Sequence, residues 1–194
     1  ACLGALGPED RFGIVAFDDS VETASLALLA GDAKGRQIAE AFLATIDARG
    51  GTELTAGIEA AAQILSPQSG GDIFLVTDGQ VMATDSIVAS AKAIGLRIHC
   101  LGIGSASQDR FLALLARETG GADRFLTARE RVDMAAMELF ASIARPVAKE
   151  VVCEVRGIAN ASIAPVPARL VHTGRPLLVY GSYLSGDRGS LYVT

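Results

Sequence analysis

The chain has 194 residues, of which 50% are hydrophobic and 20% charged, and its formal net charge is −5. This composition excludes a disordered chain and predicts one packed domain with room for an appendage. The acidic balance argues against sequence-independent nucleic-acid binding, because phosphate neutralisation needs clustered lysine and arginine. No apolar run approaches the roughly 20 residues of a membrane helix, and the basic, apolar, small-residue order of a signal peptide is missing at the start.

Three cysteines lie far apart in the sequence: Cys2, Cys100 and Cys153. They share no metal-ligand spacing, which predicts buried free thiols and not a zinc site or a disulfide framework. Their odd number does not indicate whether the protein works in an oxidising or a reducing compartment.

The first third of the chain is predicted to contain two strands and two helices. The apolar run FGIVAF is the first strand, a turn at Asp18 to Ser20 follows, and TASLALLA has the alternation of an edge strand. A helix is predicted over residues 33–48, with a stripe formed by Ile38, Phe42, Leu43 and Ile46. A second helix begins near Leu54 and ends before Pro67.

Strands and helices alternate in the following part of the chain. DIFLVT, LRIHCLGIG and DRFLT are predicted strands, separated by helices over 85–94 and 108–118. A capping box of Thr127 and Glu130 is predicted to open a last helix, which packs on the sheet through Met137, Phe140, Ala141 and Ala144. This alternation predicts an α/β fold with a doubly wound, mostly parallel, Rossmann-like sheet and right-handed crossovers.

The composition changes after Pro146, where tyrosines and prolines become frequent. The segments EVVCEVRG and RPLLVYGSYL read as strands separated by turns. We therefore expect a main domain over residues 1–147 and a β-strand appendage over 148–194.

Two oxygen-bearing side chains are predicted to meet at the carboxyl edge of the sheet. Asp78 follows the strand DIFLVT, and Thr52 follows two glycines and opens a helix. Ligands of open α/β sheets bind at this edge, and a hydroxyl beside a carboxylate suits a hard divalent cation. Thr52 could instead be only a helix N-cap, and Asp78 the start of a tight hairpin turn, although the polar QVMATDS does not read as a second strand.

Other polar positions have weaker functional interpretations. The turn from Gly102 to Ser107 follows a strand as a dinucleotide fingerprint would, but the third glycine is missing, and a turn capped by Ser107 is the alternative. His99 and His172 lie outside any nucleophile motif, and His99 is predicted to be a satisfied core or rim side chain. Asp18 begins an Asp-Asp-Ser sequence that is typical of a turn.

Several segments, in this order and at these spacings, resemble a von Willebrand factor type A domain over residues 1–147: DRFGIVAFDDSV, GGTELTAGIEAA, DIFLVTDGQV, RIHCLGIGS and LLARETGGADRFL. The later TGRPLLVYGSY resembles the segment after this domain in the inter-alpha-trypsin inhibitor heavy chain group. That group has bacterial members, which often carry an upstream vault-type domain.

The resemblance implies a non-enzymatic protein-binding module with a metal-ion-dependent adhesion site. In the family, Mg²⁺, or Mn²⁺ or Ca²⁺, holds a carboxylate of the protein partner. By position, Thr52 matches the threonine ligand and Asp78 the aspartate ligand, which often acts through water. A cell-surface or extracytoplasmic location is suggested by the resemblance alone.

One family element has no match in this sequence. The Asp-x-Ser-x-Ser motif of the first strand is missing, so that strand is expected upstream of ACLGALGPED, and metal affinity is expected to be poor. The family's strand order puts the missing strand between FGIVAF and DIFLVT. The resemblance therefore predicts an open slot in the sheet, through which copies of the chain could associate.

Overall fold

The structure is a computed structural model, and it describes residues 2–47, 51, 53–65, 71–78, 84–104, 109–127, 129–143, 146–149, 151–158, 161–164, 170–172, 179–182 and 188–194. The chain forms two compact units, Ala1–Phe140 and Ala141–Thr194. The division at residues 147 and 148 stays a prediction.

The N-terminal unit opens with a 3-10 turn, Cys2–Ala5, and two antiparallel ribbons. Their strands are β1 (Arg11–Phe12), β2 (Val15–Phe17), β3 (Val21–Thr23) and β4 (Leu29–Ala30), with β1 paired to β4 and β2 paired to β3. The predicted turn is confirmed, since the Asp18 carboxylate accepts hydrogen bonds from Ser20 N (2.8 Å) and Ser20 Oγ (3.0 Å). The predicted edge strand over residues 23–30 was wrong as one strand: β3 ends at Thr23, β4 covers only Leu29–Ala30, and Leu26 between them is 91% exposed. The three-residue turn at Asp18 to Ser20 leaves Val21 directly opposite Phe17, so the second strand starts earlier than predicted.

Helix α1 spans Ala33–Leu43 and begins at the N-cap Asp32, whose Oδ1 accepts a hydrogen bond from Gly35 N (2.8 Å). Its buried residues are Gly35 and Ala39, whereas Ile38 and Leu43 are 37% and 46% exposed. The predicted stripe was therefore wrong in two positions. The reason is steric, because a Cβ on Gly35 would lie 1.9 Å from the carbonyl oxygen of Ala30. Strand β4 therefore packs against the face of α1 where Gly35 has no side chain.

Helix α2 spans Leu54–Leu65 and packs on the ribbon formed by β2 and β3. Leu54 and Ile58 are buried, as predicted. Gly57 provides the close contact with the ribbon, since a Cβ there would lie 2.8 Å from Cδ1 of Phe17.

The predicted parallel sheet is confirmed. Its strands are β5 (Asp72–Thr77), β6 (Arg97–Ile103) and β7 (Asp123–Leu126), in the order β5-β6-β7, and the helices α3 (Thr84–Ile94) and α4 (Asp109–Thr119) connect them. The central strand β6 is the most buried, with all five residues between Arg97 and Ile103 inaccessible. Apolar side chains from β5, β6, α2, α3 and α4 form one core.

Helix α5 spans Val132–Ile143, so it begins after the predicted capping box. Glu130 Oε1 does accept from Thr127 N and Thr127 Oγ1, both at 3.1 Å, but Glu130 N donates to the Thr127 carbonyl and closes a separate turn. The predicted inner face was wrong as well, since Leu139 is buried, whereas Met137 is 44% exposed and Ala141 is exposed.

The C-terminal unit contains three antiparallel strand pairs in its described part, which agrees with the predicted β appendage. The pairs are β8 (Pro146–Lys149) with β11 (Leu170–His172), β9 (Cys153–Arg156) with β13 (Ser190–Val193), and β10 (Ser162–Ala164) with β12 (Tyr180–Ser182). Within the described ranges, none of the helices has the length and apolar character needed to cross a membrane.

Candidate functional site

Asp78 directly follows Thr77, the last residue of β5, and its side chain is exposed. This position lies at the carboxyl end of the parallel sheet, beside the end of β6 at Ile103. Loops and helix N-termini bring unpaired backbone N–H groups to that edge. The carboxylate is therefore accessible to a ligand from solvent.

Thr52, the other predicted ligand, lies outside the described residues, but both of its neighbours are described. Glu53 N donates a hydrogen bond to the Asp18 carbonyl (2.8 Å). Gly51 has φ +94°, and a Cβ there would lie 1.7 Å from Oδ1 of Asp19. The turn between β2 and β3 therefore holds the segment that carries Thr52.

Sequence reasoning missed this contact between the hairpin turn and Gly51. Asp18 and Asp19, which follow the strand FGIVAF, are the local sequence feature that could have indicated this contact. An Asp-Asp-Ser sequence is equally expected in a turn without any such contact. A contact between residues about 30 positions apart depends on how the ribbon packs on α2, and no local pattern reports that packing.

The described part of the chain contains no group of three or more His, Cys, Asp and Glu side chains that could hold a metal ion. Asp78 is an oxygen ligand of the kind that Mg²⁺ and Ca²⁺ prefer. A cation held by one or two protein oxygens keeps most of its water shell, and such a site is weak. Among the described residues, Asp78 therefore does not form a closed cation site on its own, and an ion that it contacts would keep most of its water.

The turn after β6 has a packing explanation. A Cβ on Gly102 would lie 2.7 Å from Cδ1 of Phe125 and 3.2 Å from Cδ1 of Leu112, so a side chain here would collide with the core. Gly104 has φ +99°, which favours glycine in the turn. Residues 105–108 are outside the description, so the predicted cap Ser107 is too. Steric need accounts for Gly102 without a phosphate ligand.

His99 is a buried and satisfied side chain, as predicted, with 1% of its surface exposed. Its Nδ1 accepts a hydrogen bond from Ala122 N (2.9 Å), and its Nε2 lies 3.2 Å from Oδ1 of Asp72. Partial burial by itself would raise the pKa of Asp72, but the hydrogen bonds from His99 and Arg97 outweigh it and lower that pKa to about 2. The side chain of His172 lies outside the description.

The cysteines differ in exposure. Cys100 is fully buried in β6, whereas Cys2 and Cys153 are partly exposed. All three are free thiols. The prediction of buried thiols therefore holds for Cys100 and was wrong for the other two, which lie in a terminal 3-10 turn and in a two-stranded ribbon that cannot enclose them.

A three-stranded parallel sheet with crossover helices defines an open α/β domain of the Rossmann-like type. The family model of the von Willebrand factor type A domain matches residues 1–125. The chain belongs to this family, whose domains typically mediate protein–protein interaction.

Curated relatives include inter-alpha-trypsin inhibitor heavy chain H4 from Homo sapiens, which is 25% identical over 96% of this chain, and from Bos taurus, 24% identical over 92%. The chain spans 22% and 21% of their lengths. The similarity to the inter-alpha-trypsin inhibitor heavy chain group is thus supported, and it extends through the C-terminal unit.

Solved structures show the same fold. A von Willebrand factor type A protein from Catenulispora acidiphila superposes with a TM-score of 0.69 at 20% identity, over 97% of this chain and 48% of that one. An aerotolerance-related membrane protein from Bacteroides fragilis gives a TM-score of 0.56 at 17% identity, over 72% of this chain and 83% of that one.

Proposed function

We propose that this chain is a non-enzymatic recognition module that binds a carboxylate of a protein partner through a divalent cation at the carboxyl edge of β5. Asp78 and Thr52 contribute protein oxygens, and Mg²⁺ is the resident ion, with Mn²⁺ or Ca²⁺ as substitutes. The single observation that carries this proposal is that the exposed residue Asp78 directly follows the parallel strand β5 at its carboxyl end.

The segment around Thr52 supports the same proposal. Glu53 N donates a hydrogen bond to the Asp18 carbonyl, and the Asp19 carboxylate lies so close to Gly51 that a Cβ there would collide with it, so the turn between β2 and β3 contacts both neighbours of position 52. A ligand loop that is fixed at two points loses less conformational freedom when it binds an ion. A cation with few protein ligands also keeps coordination positions that a partner's carboxylate can take.

An NMR titration with Mn²⁺ tests the cation site, because the paramagnetic ion broadens the amide signals of residues near it even when binding is weak. We expect selective broadening at Asp78, Gly51 and Glu53, with a dissociation constant in the millimolar range. Asp78→Asn should weaken this binding by about tenfold or more, as loss of a ligand-shell oxygen does elsewhere. Uniform broadening, or the same broadening in Asp78→Asn, would reject the site.

The matched control is Glu40→Gln, which removes the same unit of charge from an exposed position on α1. It should leave the Mn²⁺ titration unchanged, so that an effect of general charge is separated from coordination. Thr52→Ala should also weaken Mn²⁺ binding. If Thr52 were only an N-cap, this variant would lose about 1 kcal/mol of stability and leave ion binding as it was.

Acetate provides the test of the partner chemistry. If the cation holds a carboxylate, acetate must raise the affinity for Mn²⁺ in the same proportion as Mn²⁺ raises the affinity for acetate. Methyl acetate, which has no negative charge, should have no effect. Equal behaviour of the two compounds would contradict carboxylate recognition and leave only a cation site.

We also propose that two copies associate through the space between β2 and β5. The strand β2 pairs with β3, and β5 pairs with β6, in separate sheets. Within the described residues, neither β2 nor β5 has a second strand neighbour. Helix α2 packs against β2 and also against α3, the helix that follows β5 in the chain. Val76 is 44% exposed and lies on the face of β5 opposite the buried Ile73 and Leu75, so this apolar side chain is available for a contact beside β5.

A further inference from the structure

The ring of His99 joins three segments at the amino ends of the parallel strands. It lies on β6, its Nε2 faces the carboxylate of Asp72 on β5 (3.2 Å), and its Nδ1 accepts from the backbone N–H of Ala122, which precedes β7 (2.9 Å). The ring is 1% exposed and Ala122 is 6% exposed, so water cannot replace the bond from Ala122 in place, whereas the Asp72 side chain is 38% exposed.

These two contacts determine the protonation state of the ring. A backbone N–H can only donate, so Nδ1 must be the nitrogen without a proton. Nε2 then carries the proton and donates to Asp72. A doubly protonated imidazole has N–H groups on both nitrogens, and its Nδ1–H would point at the N–H of Ala122. The observed geometry is therefore compatible with neutral His99 alone.

The bond to Asp72 survives protonation of the ring. Arg97 binds the same carboxylate through Nε and Nη2, the latter at 3.0 Å from Oδ2. Because the pKa of Asp72 is held at about 2, its charge is constant from pH 4.5 to 8. With Nε2 already carrying a proton, a second proton on the His99 ring can bind only at Nδ1.

Other charged groups on the surrounding elements include Asp123 and Arg124 on β7 and an ion-paired set between α4 and α3, in which Glu118 binds Lys92 at 2.7 Å and Arg117. Arg124 binds Glu138 on α5. The pKa of Glu118 is lowered by its hydrogen bond with Lys92.

The turn that His99 holds is packed closely on β6. Ile98 N donates to Thr119 Oγ1 (3.1 Å), and Cys100 N donates to the Ala122 carbonyl (2.8 Å). A Cβ on Gly121 would lie 1.9 Å from the carbonyl oxygen of Ile98. If Nδ1 of His99 carries a proton, it repels the N–H of Ala122, and the turn loses a buried hydrogen bond. The turn cannot shift toward β6 to relieve this repulsion, because it already packs closely on that strand.

We propose that His99 is a proton-sensitive latch: protonation of Nδ1 breaks the bond from Ala122 and releases the turn over residues 119–122 from β6, while the rest of the sheet stays paired. Histidine is the side chain whose charge ordinarily changes between pH 5 and 8. The device thus couples acidification to local opening at the amino ends of the strands, the end of the sheet opposite the proposed cation site.

Amide hydrogen exchange by NMR, measured from pH 8 to 4.5 and expressed as protection relative to an unstructured peptide, tests the latch. Protection of Ala122 and Gly121 should fall by about tenfold or more, the equivalent of one buried hydrogen bond. Protection of Leu101, in the middle of β6, should stay high. The ring ¹⁵N shifts of His99 should report the Nε2–H tautomer at pH 8 and titrate together with the loss of protection.

His99→Asn is the matched variant, because the asparagine oxygen can take the place of Nδ1 as acceptor and cannot titrate. Its Ala122 protection should be independent of pH. Protection of Ala122 that is constant down to pH 4.5 in the natural chain would overturn the proposal, as would an equal fall in His99→Asn. If His99→Asn does not fold, the natural chain still decides, since a doubly protonated ring beside a protected Ala122 amide would contradict the latch.

Discussion

Among the individual side chains, Cys100 shows most directly how position controls reactivity. Burial, and then the negative charge of Asp123, raises the pKa of its thiol to about 12. Cys2 and Cys153 are partly exposed. Because the thiolate is the nucleophile, we expect brief treatment of the folded protein with iodoacetamide at pH 8 to modify Cys2 and Cys153 and to spare Cys100.

Mass spectrometry of the alkylated peptides measures this difference. In guanidinium chloride all three thiols should react at similar rates, which controls for intrinsic reactivity. Modification of native Cys100 as fast as Cys153 would show that β6 opens far more often than its burial indicates.

The residues also show how much of the site the sequence could predict. Asp78 was placed correctly at the strand end, because an apolar run followed by a carboxylate is visible in the sequence. The contact of Asp19 with Gly51 was not predictable, since it depends on tertiary packing. Whether Thr52 and Asp78 share an ion stays a prediction.

At the level of elements, the N-cap of α1 offers a clear test. Asp32 Oδ1 accepts from Gly35 N at 2.8 Å, and its own φ and ψ are extended. Asp32→Ala should lower the free energy of unfolding by about 1 kcal/mol, because one helix-terminal N–H loses its partner. Urea unfolding followed by circular dichroism measures the change.

Glu40→Ala is the control on the same helix, since this residue is exposed and caps nothing. Its effect should stay within about 0.5 kcal/mol. If the two variants were equally stable, the cap would contribute nothing measurable.

Element types were more predictable than element faces. The run DIFLVT and the helices on either side of it were found from apolar periodicity, and the parallel sheet followed from their alternation. The inner face of α1 was misplaced, because periodicity favours large apolar residues such as Ile38 and Leu43. The helix instead contacts Ala30 of β4 at Gly35, where the absence of a side chain allows the close approach, and a hydrophobic pattern does not reveal such a position.

For the whole molecule, the opening between β2 and β5 predicts self-association. Light scattering coupled to size-exclusion chromatography should show a dimer whose fraction rises with concentration. Val76→Lys should reduce that fraction, since a charge would enter the interface beside β5. The control Leu26→Lys places the same charge at a side chain that is 91% exposed on the loop between β3 and β4 and should leave the dimer unchanged.

A strictly monomeric chain at high concentration would contradict self-association. So would equal dimer fractions in the two lysine variants, because the association would then not involve β5.

The order β5-β6-β7 has a kinetic consequence, because neighbours in this sheet are also neighbours along the chain. Each pairing closes only a short crossover through α3 or α4, so its entropic cost is small. We expect this contiguous block to form first during refolding and the ribbons of β1 to β4 to dock on it later. Pulse-labelling should then show early protection at Leu101 and late protection at Ala16, and the reverse order would place the nucleus in the N-terminal ribbons.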